Sequence, residues 1–180
     1  MINDLYAVPY YTYKVKNWQE KKVKMQDAMK HQTFSRSPII HSPFDSDRAN
    51  SRNYLDDFLS IFSDELQEFG TELNLNTFKV EDIWTVQYGK GDFHAVHTHG
   101  TCNLSAVLYF DYDDKEHSAT HFVVGQNGIR NTTDIASPPC KEGDLVIFPS
   151  NMLHFTSPNA SDKIRRVISF DIVITKKLNV

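Results

Sequence analysis

The spacing of apolar residues changes once along this 180-residue chain, near Phe78, and that change restricts the fold more than any other feature. Ahead of it, Leu55, Phe58, Leu59, Phe62, Leu66, Phe69 and Leu73 recur at three- and four-residue steps, which predicts one helix over Ser51–Leu73. Asp56, Asp57, Asp64, Glu65 and Glu68 take its opposite face, so the apolar stripe reads as core packed on a sheet. Gly70 weakens the last turn. Beyond Phe78 the period becomes two. Phe78–Tyr88, Asn103–Tyr112, Thr120–Val124, Asp144–Phe148 and Arg165–Ile174 read as strands. Turn signals separate them: Gly89 to Gly91, Asp113-Asp114, Gln126 to Gly128, Pro138-Pro139 and Pro158-Asn159.

The first third is less regular. Leu5–Val15 is rich in Tyr and Val and reads as a strand, with Pro9 marking an edge. Asn17 is placed to cap a helix running to about Lys30, with Trp18, Met25 and Met29 as a sparse apolar stripe. Thr33–Asn50, with Pro38 and Pro43, reads as an ordered loop or a lid. Helices followed by many short strands predict an α+β fold in which helices buttress a sandwich or barrel. No linker or repeat interrupts the chain. One domain over 1–180 is expected, with a strand and supporting helices in 1–77 and a β core in 78–180.

Charge and cysteine usage narrow the partners. The net charge of −4 does not suggest a phosphate-binding surface, so no nucleic-acid partner is expected. The densest basic stretch, Lys14, Lys16, Lys21, Lys22 and Lys24, is interrupted by Glu20 and Asp27 and reads as a solvated helix face. Cys102 and Cys140 form no CxxC pair, which points to a reducing, cytoplasmic setting without a disulfide framework. Met1–Tyr10 lacks the apolar core of a signal peptide. No apolar run approaches the roughly 20 residues that cross a bilayer. A homodimer is left open.

The histidines carry the chemistry. His97 and His99 sit two apart, so on a strand their imidazoles point to one face and can meet one metal ion. A bare His-x-His also describes two surface histidines on an edge strand. A third element changes the balance: the apolar strand Asp144–Phe148 runs through Pro149 and delivers His154 just past its end. Three histidines from neighbouring strands can cap one face of an octahedral ion and leave the other face open, as in non-haem Fe(II) oxygenases. A structural zinc site would close with a fourth ligand. Cys102 is the nearest candidate, but it lies three residues from His99 and off the shared face. His31, His41, His117 and His121 read as structural or solvated.

Arg165 and Arg166 open an otherwise apolar strand. An arginine turned into a barrel needs an anionic partner, and its planar fork suits a carboxylate. Residue parity alone leaves both in play. Arg166 shares a face with Ile168 and Phe170, and Arg165 with Val167, Ser169 and Asp171.

Taken together, Trp84 to His99, Ser105 to Phe110, Gly143 to Ser150, His154 to Asn159 and Arg165 to Asp171 resemble the 2-oxoglutarate/Fe(II) oxygenases. The likeness is to small bacterial and phage proteins with an H-x-H-P…S-G-V-Y-Y pattern, and more distantly to prolyl hydroxylases. It covers about half the chain, Trp84 to Ile174, with four motifs in the family's order. It implies a double-stranded β-helix, or jelly roll, that binds iron(II) and 2-oxoglutarate. By position, His97 and His154 match the family's two histidine ligands. His99 stands where most of the superfamily has Asp or Glu. Arg165 matches the residue that binds 2-oxoglutarate, with Arg166 one step off. Tyr88 and His94 fall near positions that line the cosubstrate pocket. Gly100 and Ala106 replace the subgroup's Pro and Gly.

The resemblance implies a dioxygenase in which His97, His99, His154 and Arg165 form the catalytic centre. It would hydroxylate a small-molecule or peptidyl substrate and release succinate and CO2. Two other readings compete: a cupin-like three-histidine dioxygenase without 2-oxoglutarate, and a non-enzymatic jelly-roll binding module.

Overall fold

Strand β11 (Arg165–Lys177) is hydrogen-bonded antiparallel to β4 (Leu75–Tyr88) on one side and to β6 (Leu104–Asp111) on the other. Around this centre a seven-stranded sheet forms in the order β1-β9-β6-β11-β4-β3-β2, where β1 is Tyr11–Lys14, β2 Ser35–Arg36, β3 Asp45–Ser46 and β9 Asp144–Pro149. A four-stranded sheet of β5 (His94–His97), β10 (His154–Thr156), β7 (His121–Asn127) and β8 (Thr132–Ala136) faces it, in that order. The computed structural model describes residues 8–39, 41–100, 102–127 and 132–177. Gly128 of the expected turn therefore falls outside the described residues, as do Leu5 to Ala7 of the expected first strand.

Both faces of the central strands β6, β9 and β11 are buried over most of their length, which is why they read as nearly continuous apolar runs. Leu104, Ala106, Leu108 and Phe110 of β6, Leu145 and Ile147 of β9, and Ile168, Phe170 and Ile172 of β11 pack under the helices. Val107 and Tyr109, Val146 and Phe148, and Val167, from the alternate positions of the same strands, fill the space between the sheets with Trp84, Val86, Tyr88 and Phe122. Two facing antiparallel sheets with helices against the outer side of the larger one make the helix-buttressed jelly roll that the sequence predicts.

The helices depart from expectation in detail. In place of one helix over Ser51–Leu73 there are two, α2 (Leu55–Ile61) and α3 (Ser63–Glu72), meeting at Phe62 (φ −105°, ψ 20°). The Phe62 and Leu66 amides still bond to the carbonyls four residues back, so Phe58, Phe62, Leu66 and Phe69 keep one face. Ahead of α1 (Trp18–Ala28), Asn17 makes no side-chain cap. Its value is conformational: it adopts the left-handed region (φ 53°), which asparagine tolerates. The basic stretch is not wholly solvated either. Lys21 pairs with buried Glu65 of α3 at 2.7 Å, and Lys22 with Asp111 at 2.9 Å and Glu142 at 3.0 Å, which fastens α1 to its neighbours.

The described residues of Thr33–Asn50 are pinned rather than loose. Their β2–β3 hairpin adds to the edge of β4. Arg36 grips Asp92 with two bonds, at 2.7 and 2.5 Å. The Ala95 amide donates to Ser42 Oγ at 2.7 Å, and the Phe93 amide to the Pro43 carbonyl at 3.0 Å. These ties hold the segment beside β5.

Candidate metal and cosubstrate site

β5 and β10 pair antiparallel with His97 directly opposite His154. His99 lies two residues beyond β5, where its amide donates to the Ser150 carbonyl at 2.8 Å. One ring nitrogen from each of His97, His99 and His154 lies within 4.8 Å of the others. The ring centres are 4.2 Å apart for His97–His154 and 5.3 Å for each of the other two pairs.

The second nitrogen of each ring decides which one is free. Nδ1 of His97 meets the Ala95 carbonyl at 2.7 Å, Nδ1 of His154 the Met152 carbonyl at 2.9 Å, and Nδ1 of His99 an Asp171 carboxylate oxygen at 2.9 Å. All three partners accept only, so Nδ1 carries the proton and Nε2 presents a lone pair. Burial disfavours charging His154 and, with the neighbouring imidazoles, pulls its pKa down to about 3; burial also lowers that of His97. Both rings are therefore neutral, as metal ligands must be.

The three rings line a cavity of about 290 Å³ between the sheets, small enough to suit a small ligand. Arg165 lies in the same cavity and is 2% exposed. Its Nη1 donates to the Ser118 carbonyl at 2.6 Å, while Nε and Nη2 have no partner among the described residues. Its guanidinium sits 4.3 Å from the ring centre of Tyr88, itself buried. The two arginines face opposite ways. Arg165 turns inward with Val167, Ser169 and Asp171, whereas Arg166 lies on the helix side and pairs with Asp111 at 2.8 Å.

His94 lines the cavity with its ring stacked on His97 at 3.8 Å and against Phe44 at 4.5 Å. Burial and the adjacent imidazoles push its pKa down to about 3. Cys102 lies near Ser105 and outside the three-histidine group, and both cysteines are free. His117 is buried, accepting from the Asp113 amide, and His121 stacks on Phe155. His31 and His41 are exposed. Sequence reasoning missed three contributors: Asp171 behind His99, the Ser118 carbonyl on Arg165, and Trp84 stacked between His99 and the Arg48 guanidinium. Only Asp171 left a signal, its parity with Arg165.

The donor set fits the cofactors that the sequence suggests. Three neutral imidazoles on one side suit a divalent first-row ion with an open face. A buried guanidinium with two unmet donors suits a carboxylate. An unmet buried donor costs about 1–3 kcal/mol, which an anionic ligand in the cavity would relieve.

A family model described as "Putative 2OG-Fe(II) oxygenase" matches residues 82–171. No curated protein matches the chain. Among solved structures, a Pseudomonas putida prolyl-4-hydroxylase superposes with a TM-score of 0.63 at 12% identity, over 94% of each chain. The epimerase SnoN from nogalamycin biosynthesis, solved with Fe3+, alpha ketoglutarate and nogalamycin RO, gives 0.69 at 14% identity, over 92% of this chain and 79% of that one. The viral collagen prolyl hydroxylase of Paramecium Bursaria Chlorella virus-1, in its 2OG complex, gives 0.59 at 14% identity, over 91% and 94%. At such identities these neighbours speak for the jelly-roll fold. The family match, which spans half the chain, supports 2-oxoglutarate-dependent oxygenase chemistry over the 2-oxoglutarate-independent dioxygenase and the non-enzymatic module. The chain belongs to the 2OG-Fe(II) oxygenase family, oxidoreductases that depend on iron(II) and 2-oxoglutarate.

Proposed function

We propose that this oxygenase hydroxylates a C–H bond of a small or peptidyl substrate, consuming O2 and 2-oxoglutarate and releasing succinate and CO2. In this reading His97, His99 and His154 hold the iron and Arg165 receives the distal carboxylate of 2-oxoglutarate. The observation that carries it is the pair of unmet donors on Arg165, buried in the same cavity as three free Nε2 atoms. Iron, when bound, supplies the activation of O2.

The residues of the chain position and shield. Nδ1–H bonds hold the three imidazoles with Nε2 directed at a common point. Tyr88 backs the guanidinium, and Val86, Val107, Phe148 and Val167 give the cavity dry walls that strengthen its contact with an anion. Ile39, exposed on the hairpin segment, reaches the cavity lining, so 33–50 is the candidate cover over a bound substrate.

The test is succinate formation from 2-oxoglutarate by iron-loaded protein. His97→Ala and His154→Ala are expected to abolish it. Arg165→Ala is expected to raise the 2-oxoglutarate requirement far more than it weakens metal binding. Wild-type succinate production by purified His154→Ala would overturn the assignment.

A further inference from the structure

The three imidazoles are not equivalent. His97 and His154 give their Nδ1 protons to neutral carbonyls two residues back, at 2.7 and 2.9 Å. His99 alone gives its proton to a carboxylate, Asp171, seventy-two residues away on β11. That carboxylate is 6% exposed and takes a second bond on the same oxygen from the buried Ser105 hydroxyl, at 2.8 Å. Ser105 and Asp171 also face each other in the β6–β11 ladder, so the acceptor is fixed by the sheet itself. Trp84 stacks on the His99 ring with centres 5.6 Å apart and limits its rotation.

The charge around the site gives this contact its meaning. Among the described residues, no carboxylate lines the cavity, while Arg48 and Arg165 both do. A divalent ion held by the three imidazoles would add two positive charges beside the buried Arg165 guanidinium, whereas Arg48 is already paired with Asp82 at 3.4 Å. Among the described residues, Asp171 is the one carboxylate bonded to a ring of the three-histidine group. A proton shared between imidazole and carboxylate makes the ring more basic and transmits negative charge to the ion. We infer that Asp171 is a positioning residue for the metal centre, and that the His99–Asp171 pair does through one imidazole what a directly ligating carboxylate does elsewhere in the superfamily. The inference rests on the assignment of His97, His99 and His154 as ligands.

The experiment compares anaerobic iron(II) affinity and the Fe(III)/Fe(II) potential in wild-type protein and Asp171→Asn. The amide keeps the shape and an acceptor oxygen for Nδ1–H but lacks the charge. Affinity is expected to fall about 10–100-fold. The potential is expected to rise, because the lost negative charge favours the ferric state more than the ferrous. A purely structural Asp171 would leave the potential of the folded, loaded variant where it was. Asp171→Asn that binds iron like wild type at an unchanged potential overturns the inference. A wild-type protein that takes up no iron refutes the ligand assignment instead. Proton resonances of the wild-type protein loaded with zinc give a reading independent of the variant's folding. The His99 Nδ1–H is expected furthest downfield of the three ligand rings, and its coincidence with the other two would also overturn the inference.

Discussion

The guanidinium of Arg165 lies 4.3 Å from the ring centre of Tyr88, its direct partner across the β4–β11 ladder. A desolvated cation over an aromatic face gains up to about 2 kcal/mol, and the ring also fixes the direction in which the fork points. Tyr88→Phe keeps the face and is expected to leave the KM for 2-oxoglutarate near wild type. Tyr88→Leu is expected to raise it about tenfold, as loss of such a contact implies. Arg165→Lys keeps the charge but not the two-pronged geometry, and a rise of about 10–100-fold is expected. Steady-state succinate assays on the three variants check these outcomes.

The two sides of the large sheet serve different ends, and a core substitution on the helix side separates them. Phe58 is 1% exposed and packs against Phe62 and Phe170, with ring centres 4.8 and 5.0 Å away. Phe58→Ala is expected to lower stability by about 3–5 kcal/mol. Where the variant remains folded, its KM for 2-oxoglutarate should stay at the wild-type value, because the cavity lies on the other face. Urea unfolding and kinetics at low temperature check both parts.

Gly143 enters β9 with φ at +86°, and a Cβ there would sit 2.8 Å from Cγ of Trp18. Trp18 cannot easily yield: its Nε1 donates to Glu142 at 2.9 Å and its ring meets Phe110 edge-on at 5.6 Å. Gly143→Ala therefore meets both backbone strain and a clash. It is expected to destabilise the protein by about 1–3 kcal/mol, read from the shift in denaturation midpoint.

Acid should loosen the segment that borders the cavity. The bond to Arg36 outweighs partial burial and holds the Asp92 pKa below its ordinary value. The folded pKa is the lower one, so the stabilisation is complete above the unfolded value of about 4 and is lost as pH falls through the depressed value. Arg36 is half-exposed, and the contribution is about 1 kcal/mol or less. Asp92→Asn is expected to be less stable at neutral pH and to lose less on acidification than wild type. Denaturant midpoints at neutral pH and near pH 3 test the sign.

The sequence carried the architecture further than the details. The change of period at Phe78 was enough for helices on a β sandwich, because both patterns run for many residues. Strands β2, β3, β5, β8 and β10 are two to five residues long, too short to show a period. The inward arginine was hidden for a different reason. With Ile168 and Phe170 under the helices and Val167 between the sheets, both faces of β11 are buried, so hydrophobicity could not tell inside from outside. His97 and His99 were legible through their spacing and His154 through the strand before it. The contact between His99 and Asp171 joins β11 to a residue beyond β5, and only tertiary folding creates it.

His97 and His154 belong to the four-stranded layer, whereas His99 is tethered to the seven-stranded one. An ion gripped by all three would therefore work as a rivet through both layers of the sandwich as well as a reagent. Loading should raise the melting temperature, and the amides of β5 and β10 should be the first to exchange with solvent when a chelator withdraws it. In such a molecule the cofactor content of a preparation would be legible in its resistance to unfolding.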